Sequence, residues 1–95
     1  MECVVYFGEL KEDYKNADNP IETLDNRKEL FIGVGIFGEA NEYFGKSYQF
    51  DWGSFIWECP FDKLEKFSEK SRIKIPNIHK LDRNKKYGIV FIELG

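Results

Sequence analysis

The sequence predicts an α+β domain: a mostly antiparallel sheet of four to five strands with one main helix, at about residues 61–71, packed on it. Three observations carry this. Four segments are rich in β-branched and aromatic residues, as half-buried strands require. One segment repeats its apolar residues at helical spacing between charges. The whole is 95 residues with 17% aromatics, enough for one core without disulfides or a structural metal and too short for two. Residues 1–95 therefore read as a single domain.

Taken in order, residues 2–10 (ECVVYFGEL) read as a strand, with apolar residues on both parities. Residues 11–27 are polar and turn-rich. Within them Asn19 is placed to cap a short helix, with Pro20 at its first position and Glu22 in its first turn. Residues 29–38 (ELFIGVGIFG) read as a second strand carrying three glycines, and residues 41–46 as a turn or short connection. Residues 47–58 form a third extended segment, or two short strands about Asp51–Trp52–Gly53–Ser54. Apolar parity is even before Gly53 (Tyr48, Phe50, Trp52) and odd after it (Phe55, Trp57), which signals a bulge or tight turn.

The helix comes after Pro60. Asp62 and Glu65 have capping-box spacing, and Phe61, Leu64 and Phe67 make a narrow apolar stripe. Residues 72–86 are basic, broken by Pro76, and read as a loop. Residues 86–94 (KYGIVFIEL) are apolar on both parities, which suits a central strand covered on both sides.

Charge is segregated along the chain. Residues 1–62 hold thirteen acids and five bases, a net of −8; residues 63–95 hold nine bases and four acids, a net of +5. Such asymmetry bears on association rather than fold. No stretch approaches the ~20 apolar residues of a membrane span. The N-terminal apolar stretch has no basic segment before it and contains Glu2, so no secretory signal and a cytoplasmic location are expected. In that setting Cys3 and Cys59 are expected as reduced, buried thiols.

Chemistry-bearing patterns are few. Gly33, Gly35 and Gly38 spell G-x-G-x-x-G, but the residues after Gly38 lack the length and periodicity of a dinucleotide-binding crossover helix. With Gly33, Gly35 and Phe37 on one strand face, a backbone made slim so that bulky aromatics pack over it is the better reading. His79 is the only histidine and lies in a polar loop, away from any evident nucleophile. Metal-ligand spacings are missing, so neither a metal nor a cofactor is expected, and the chain reads as a non-enzyme. Asp51, Glu58 and His79 are the residues an enzymatic reading would have to use. Lys80, Arg83, Lys85 and Lys86 with Tyr87 offer phosphate contacts and a stacking ring, but pI ≈ 5.2 argues against a nucleic-acid partner.

The opposite pattern is more pronounced. Acids interleave with aromatics at Asp13–Tyr14, Glu42–Tyr43–Phe44 and Phe50–Asp51–Trp52. Aromatics anchor interfaces, and acids beside them steer a basic partner. Asp13, Tyr14, Asp18, Glu39, Glu42, Tyr43, Asp51 and Trp52 are the candidate partner-binding residues.

In these acidic–aromatic stretches, and in its general character as a small acidic α+β domain, the chain resembles the immunity proteins of bacterial toxin systems. Those include the partners of nuclease colicins and of contact-dependent growth inhibition effectors. The resemblance implies a stoichiometric, non-enzymatic binder that neutralises a cognate toxin domain, commonly a basic nuclease, in the cytoplasm. Two other readings stand beside it: a homo-oligomeric ligand-binding or assembly subunit joined through a sheet edge, and a nucleic-acid binder using residues 72–87.

Overall fold

The computed structural model describes residues 2–25, 31–51 and 53–94. Five strands form one sheet: β1 (Glu2–Glu9), β2 (Phe31–Ile36), β3 (Tyr48–Asp51), β4 (Ser54–Cys59) and β5 (Tyr87–Glu93). Their order is β2-β1-β5-β4-β3, and every neighbouring pair is antiparallel. Two helices, α1 (Phe37–Phe44) and α2 (Phe61–Lys70), cover one face. The α+β class, the antiparallel sheet and the main helix on it are as the sequence predicts. The apolar 86–94 segment is the middle strand, buried on both sides over Tyr87–Phe91.

Alternation sorts the strands into two cores. Cys3, Val5 and Phe7 of β1, Phe55, Trp57 and Cys59 of β4, and Tyr87, Ile89 and Phe91 of β5 point to the helices. They meet Ala40 and Phe44 of α1 and Leu64 and Phe67 of α2. On the opposite side Ile56 and Val90 meet Leu10 and Leu24, with Tyr14 and Ile21 packed against them. These last residues come from the polar 11–25 segment, which folds back over part of the sheet as two short 3-10 turns, Tyr14–Asn16 and Pro20–Thr23. The Asn19 cap is formed: its Oδ1 accepts from the Glu22 amide at 3.1 Å, with Pro20 at the first position.

Helix α1 departs from the sequence reading, in which its residues are a strand end and a connection. The helical signal is present, since Phe37, Ala40 and Phe44 share one face, but Gly38, a weak helix former, sits in its first turn. Phe37 packs on Phe55 and Trp57 with ring centres 4.5 and 5.4 Å apart. Trp57 Nε1 donates to the Gly45 carbonyl at 2.8 Å, which ties the end of α1 to the sheet. The expected capping box on α2 is also corrected. The helix begins at Phe61 as expected, but Pro60 stands at the cap and there is no side-chain cap bond. Asp62 instead lies in the first turn, where its charge complements the helix dipole.

After α2 the chain returns along the sheet, fixed by two buried serines. Ser68 Oγ accepts from the Ile75 amide at 2.9 Å, and Ser71 Oγ accepts from the Ile73 amide at 3.1 Å. Ile73 and Ile75 are thereby driven into the core. Gly33 and Gly35 of β2 are packed over as expected, but chiefly by Ile73, with Phe91 the one aromatic near Gly35; Phe37 is not on this strand face but begins α1. A short helix does succeed β2, contrary to expectation. Yet Gly33 and Gly35 sit within an edge strand under Ile73, not in the open strand-to-helix turn that a pyrophosphate needs.

Candidate functional site

The sheet face away from the helices carries the exposed apolar surface. Cross-strand register defines two complete rows on it. One runs Val34, Val4, Ile92, Ser54, Asp51 from edge to edge; the next runs Phe31, Tyr6, Val90, Ile56, Tyr48. Five strands at ~4.8 Å give each row a length of roughly 19 Å. The 11–25 segment covers Val90 and Ile56 in the middle and leaves the corners open.

Among the described residues the exposed large hydrophobics are Phe31 (49%), Val34 (44%), Tyr48 (38%) and Leu94 (52%). All four belong to this face. Phe31, Val34 and Tyr48 end the rows, and Leu94 continues β5 in register with Glu2, to whose carbonyl its amide donates at 3.0 Å. Half-buried Val4, Tyr6 and Ile92 fill the space between Phe31, Val34 and Leu94, and Tyr6 braces Phe31 edge-on at 5.8 Å; Tyr48 stands at the far edge, beyond the covering segment. An exposed apolar grouping of this kind on one face marks an interaction surface far more than scattered single residues do.

Acids border it. Asp51 ends the first row, opposite Ser54. Asp13, Asp18 and Glu22 line a shallow depression on the covering segment together with Lys11, Tyr14, Asn16 and Ala17. Tyr14 is half-buried and meets Tyr48 edge-to-face at 6.3 Å and 88°. The structure thus brings Asp13, Tyr14, Asp18 and Asp51 to one side of the molecule. Glu39, Glu42 and Tyr43 lie on α1, in the layer on the opposite side of the sheet. There Tyr43 packs on Phe67 at 5.7 Å, and one Glu39 carboxylate oxygen is buried with no hydrogen-bond partner among the described residues. Trp52 lies outside the described residues.

Sequence reasoning missed Phe31, Val34 and Leu94, which it placed in strands without a face. The signal lay in β2 itself: Ile32 and Gly33 both face the helices, through a bulge where Val5 pairs with Gly33 but Tyr6 with Phe31. Phe31 and Val34 therefore share the other side despite their odd spacing.

The basic segment is largely engaged within the molecule. Lys85 pairs with Glu9 and Lys86 with Glu58, each at 3.5 Å, and Arg83 stacks 4.4 Å over Phe61. Lys74 donates to the Ser68 and Glu69 carbonyls at 2.7 and 3.2 Å, at the end of α2. Tyr87, the ring that base stacking would need, is buried: it stacks on Phe7 at 5.6 Å, and its hydroxyl accepts from the Asp82 amide at 2.9 Å. Asp51 and Glu58 are both exposed. Four residues of β4, about 13 Å, separate Ser54, the partner of Asp51, from Glu58; paired carboxylates of a glycosidase stand closer than ~10 Å. His79 is exposed in a short 3-10 turn.

Cys3 is opposite Glu93 and Cys59 opposite Tyr87. Six residues of β5 thus hold the two cysteines about 20 Å apart, far beyond the ~7 Å limit for a disulfide. Burial pushes both thiols up from their ordinary pKa, Cys59 strongly. No described helix is long and apolar enough to cross a membrane. Compared with family models, curated proteins and solved structures, the chain matches none.

Proposed function

We propose that this chain is a non-enzymatic, stoichiometric binding protein that neutralises a basic toxin domain, in the manner of an immunity protein. The observation that carries the reading is the grouping of Phe31, Val34, Tyr48 and Leu94 on one acid-bordered sheet face. Apolar anchors supply affinity once water is excluded, and the bordering carboxylates supply steering and orientation. A nuclease has a basic surface built for phosphates, and Asp13, Asp18 and Asp51 present carboxylates to it. A pull-down with any toxin domain found encoded beside this gene, followed by calorimetry, tests the reading. A one-to-one complex whose association slows with salt supports it; a complex indifferent to both Phe31→Ser and Asp51→Lys would place the interface elsewhere.

A second reading is self-association through the β2 edge. That edge, Phe31–Ile36, contains no charged residue and no proline, whereas the β3 edge is short and ends in Asp51. Charges and prolines are the usual guards against edge pairing. Sedimentation decides between the two: a dimer dispersed by Val34→Lys would favour this one.

A further inference from the structure

On the covering segment the Lys15 cation sits against two aromatic rings. Lys15 Nζ lies 5.9 Å from the ring centre of Tyr14 and 5.5 Å from that of Tyr48. Among the described residues no acid pairs with it, although Asp13 and Asp18 are near in sequence. The two rings meet at 88°, and Phe50 also packs on Tyr48, edge-on at 5.0 Å and 79°. Tyr14 and Phe50 are packed against the buried cluster of Leu10, Leu24, Ile56 and Val90, so the pair is anchored from below. Asp13, Asp18 and Glu22 lie beside it in the acidic depression.

Ring faces attract cations through their quadrupole, and neighbouring carboxylates deepen the negative potential. The resident ammonium is strongly hydrated and hangs on a flexible four-carbon stem, whereas a guanidinium is planar, weakly hydrated and stacks on aromatic faces. We propose that the Tyr14–Tyr48 pair is a binding site for one arginine side chain of the partner, and that Lys15 occupies it until the partner arrives. This rests on the reading of a basic protein partner and names one contact within it.

The test uses the protein alone, with N-acetyl-arginine amide as probe and tyrosine ring NMR as readout. Saturable shifts confined to Tyr14 and Tyr48 are expected. Binding should tighten by about threefold in Lys15→Met, where the resident cation is gone. Tyr48→Phe should retain the site and Tyr48→Leu should lose it. Equal shifts from N-acetyl-norleucine amide would reduce the site to an apolar contact and overturn the proposal. So would Lys15→Met that binds no tighter, a comparison that stands even if Tyr48→Leu fails to fold. A lysine probe that outcompetes arginine would overturn the assignment of arginine. A complex with the basic partner that ignores Tyr48→Leu would sink the arginine site and leave the proposed function standing. Probe binding without any such complex would do the reverse.

Discussion

Ile73 Cγ1 stands 3.0 Å from the point that a β-carbon on Gly35 would occupy, with Val5 Cγ2 at 3.2 Å and Phe91 Cε2 at 3.3 Å. All three neighbours belong to the buried core or its strands, so none yields without cost. Gly35→Ala should therefore destabilise the fold by about 1–3 kcal/mol, the range for overpacking. Gly38, three residues on, has nothing within 4 Å of such a carbon and lies in α1. Gly38→Ala should be neutral or stabilise by up to ~1 kcal/mol. Urea unfolding of the two variants checks the contrast; equal effects would mean that Ile73 does not seat on β2.

Charge reversal should act on one side of the molecule. Asp13→Lys and Asp51→Lys should each slow association with a basic partner by roughly threefold to tenfold at low salt, and less at high salt. Glu42→Lys, on the helix layer, should leave the rate unchanged. Stopped-flow association at several ionic strengths measures this. A Glu42 effect as large as that of Asp51 would move the interface to α1.

Exposed apolar residues should separate binding from stability. Phe31→Ser and Val34→Ser should alter unfolding free energy by no more than ~1 kcal/mol, because both side chains are about half exposed. In the complex they should cost ~1–2 kcal/mol each, as truncated interface anchors do. Unfolding curves and calorimetry on the same samples read the two numbers.

Trp57→Phe removes the bond to the Gly45 carbonyl and part of a side chain that is 1% exposed. A loss of about 1–3 kcal/mol is expected from the lost hydrogen bond and volume. Hydrogen exchange should show earlier opening around Gly45 and the end of α1 than in the rest of the fold.

The Cys59 thiol gives stability a pH limit. Burial holds its folded pKa well above the ordinary value of 9.0. In the unfolded chain the thiol ionises near that value, so between the two pKa values the unfolded state binds fewer protons. Stability from this group is complete below about pH 8, falls as pH rises past 9, and stays intact toward acid. Cys59→Ala should flatten the alkaline fall in stability measured by urea unfolding from pH 7 to 10. An unchanged slope would assign that fall to other groups.

How far the sequence could be read depended on what each residue answers to. Pattern alone placed β5 in the middle of the sheet, because Gly88–Phe91 are apolar at both parities and only a doubly covered strand tolerates that. Asn19, Pro20 and Glu22 announced their cap because capping is local chemistry. Helix α1 escaped notice because Gly38 lowers its propensity, while its stability comes from Phe37 and Phe44 meeting Trp57 and Phe67, contacts distant in sequence. The candidate face was hidden for a related reason. Tyr14 and Tyr48 are 34 positions apart in the chain, and no local pattern shows that their rings meet. The separation of charge was legible in number but not in space, since Lys85 and Lys86 fold back onto Glu9 and Glu58.

The adjacency of β1 and β5 carries a consequence for timing. The row that holds Val34 and Val4 is completed by Ile92, which belongs to the last strand of the sheet. Until that strand has been synthesised and has inserted between β1 and β4, those two strands have no common neighbour and this sheet face is unassembled. Contacts so distant along the chain also fold slowly. A nascent or truncated copy that lacks β5 should therefore present neither row, and the proposed face exists only once β5 is in place.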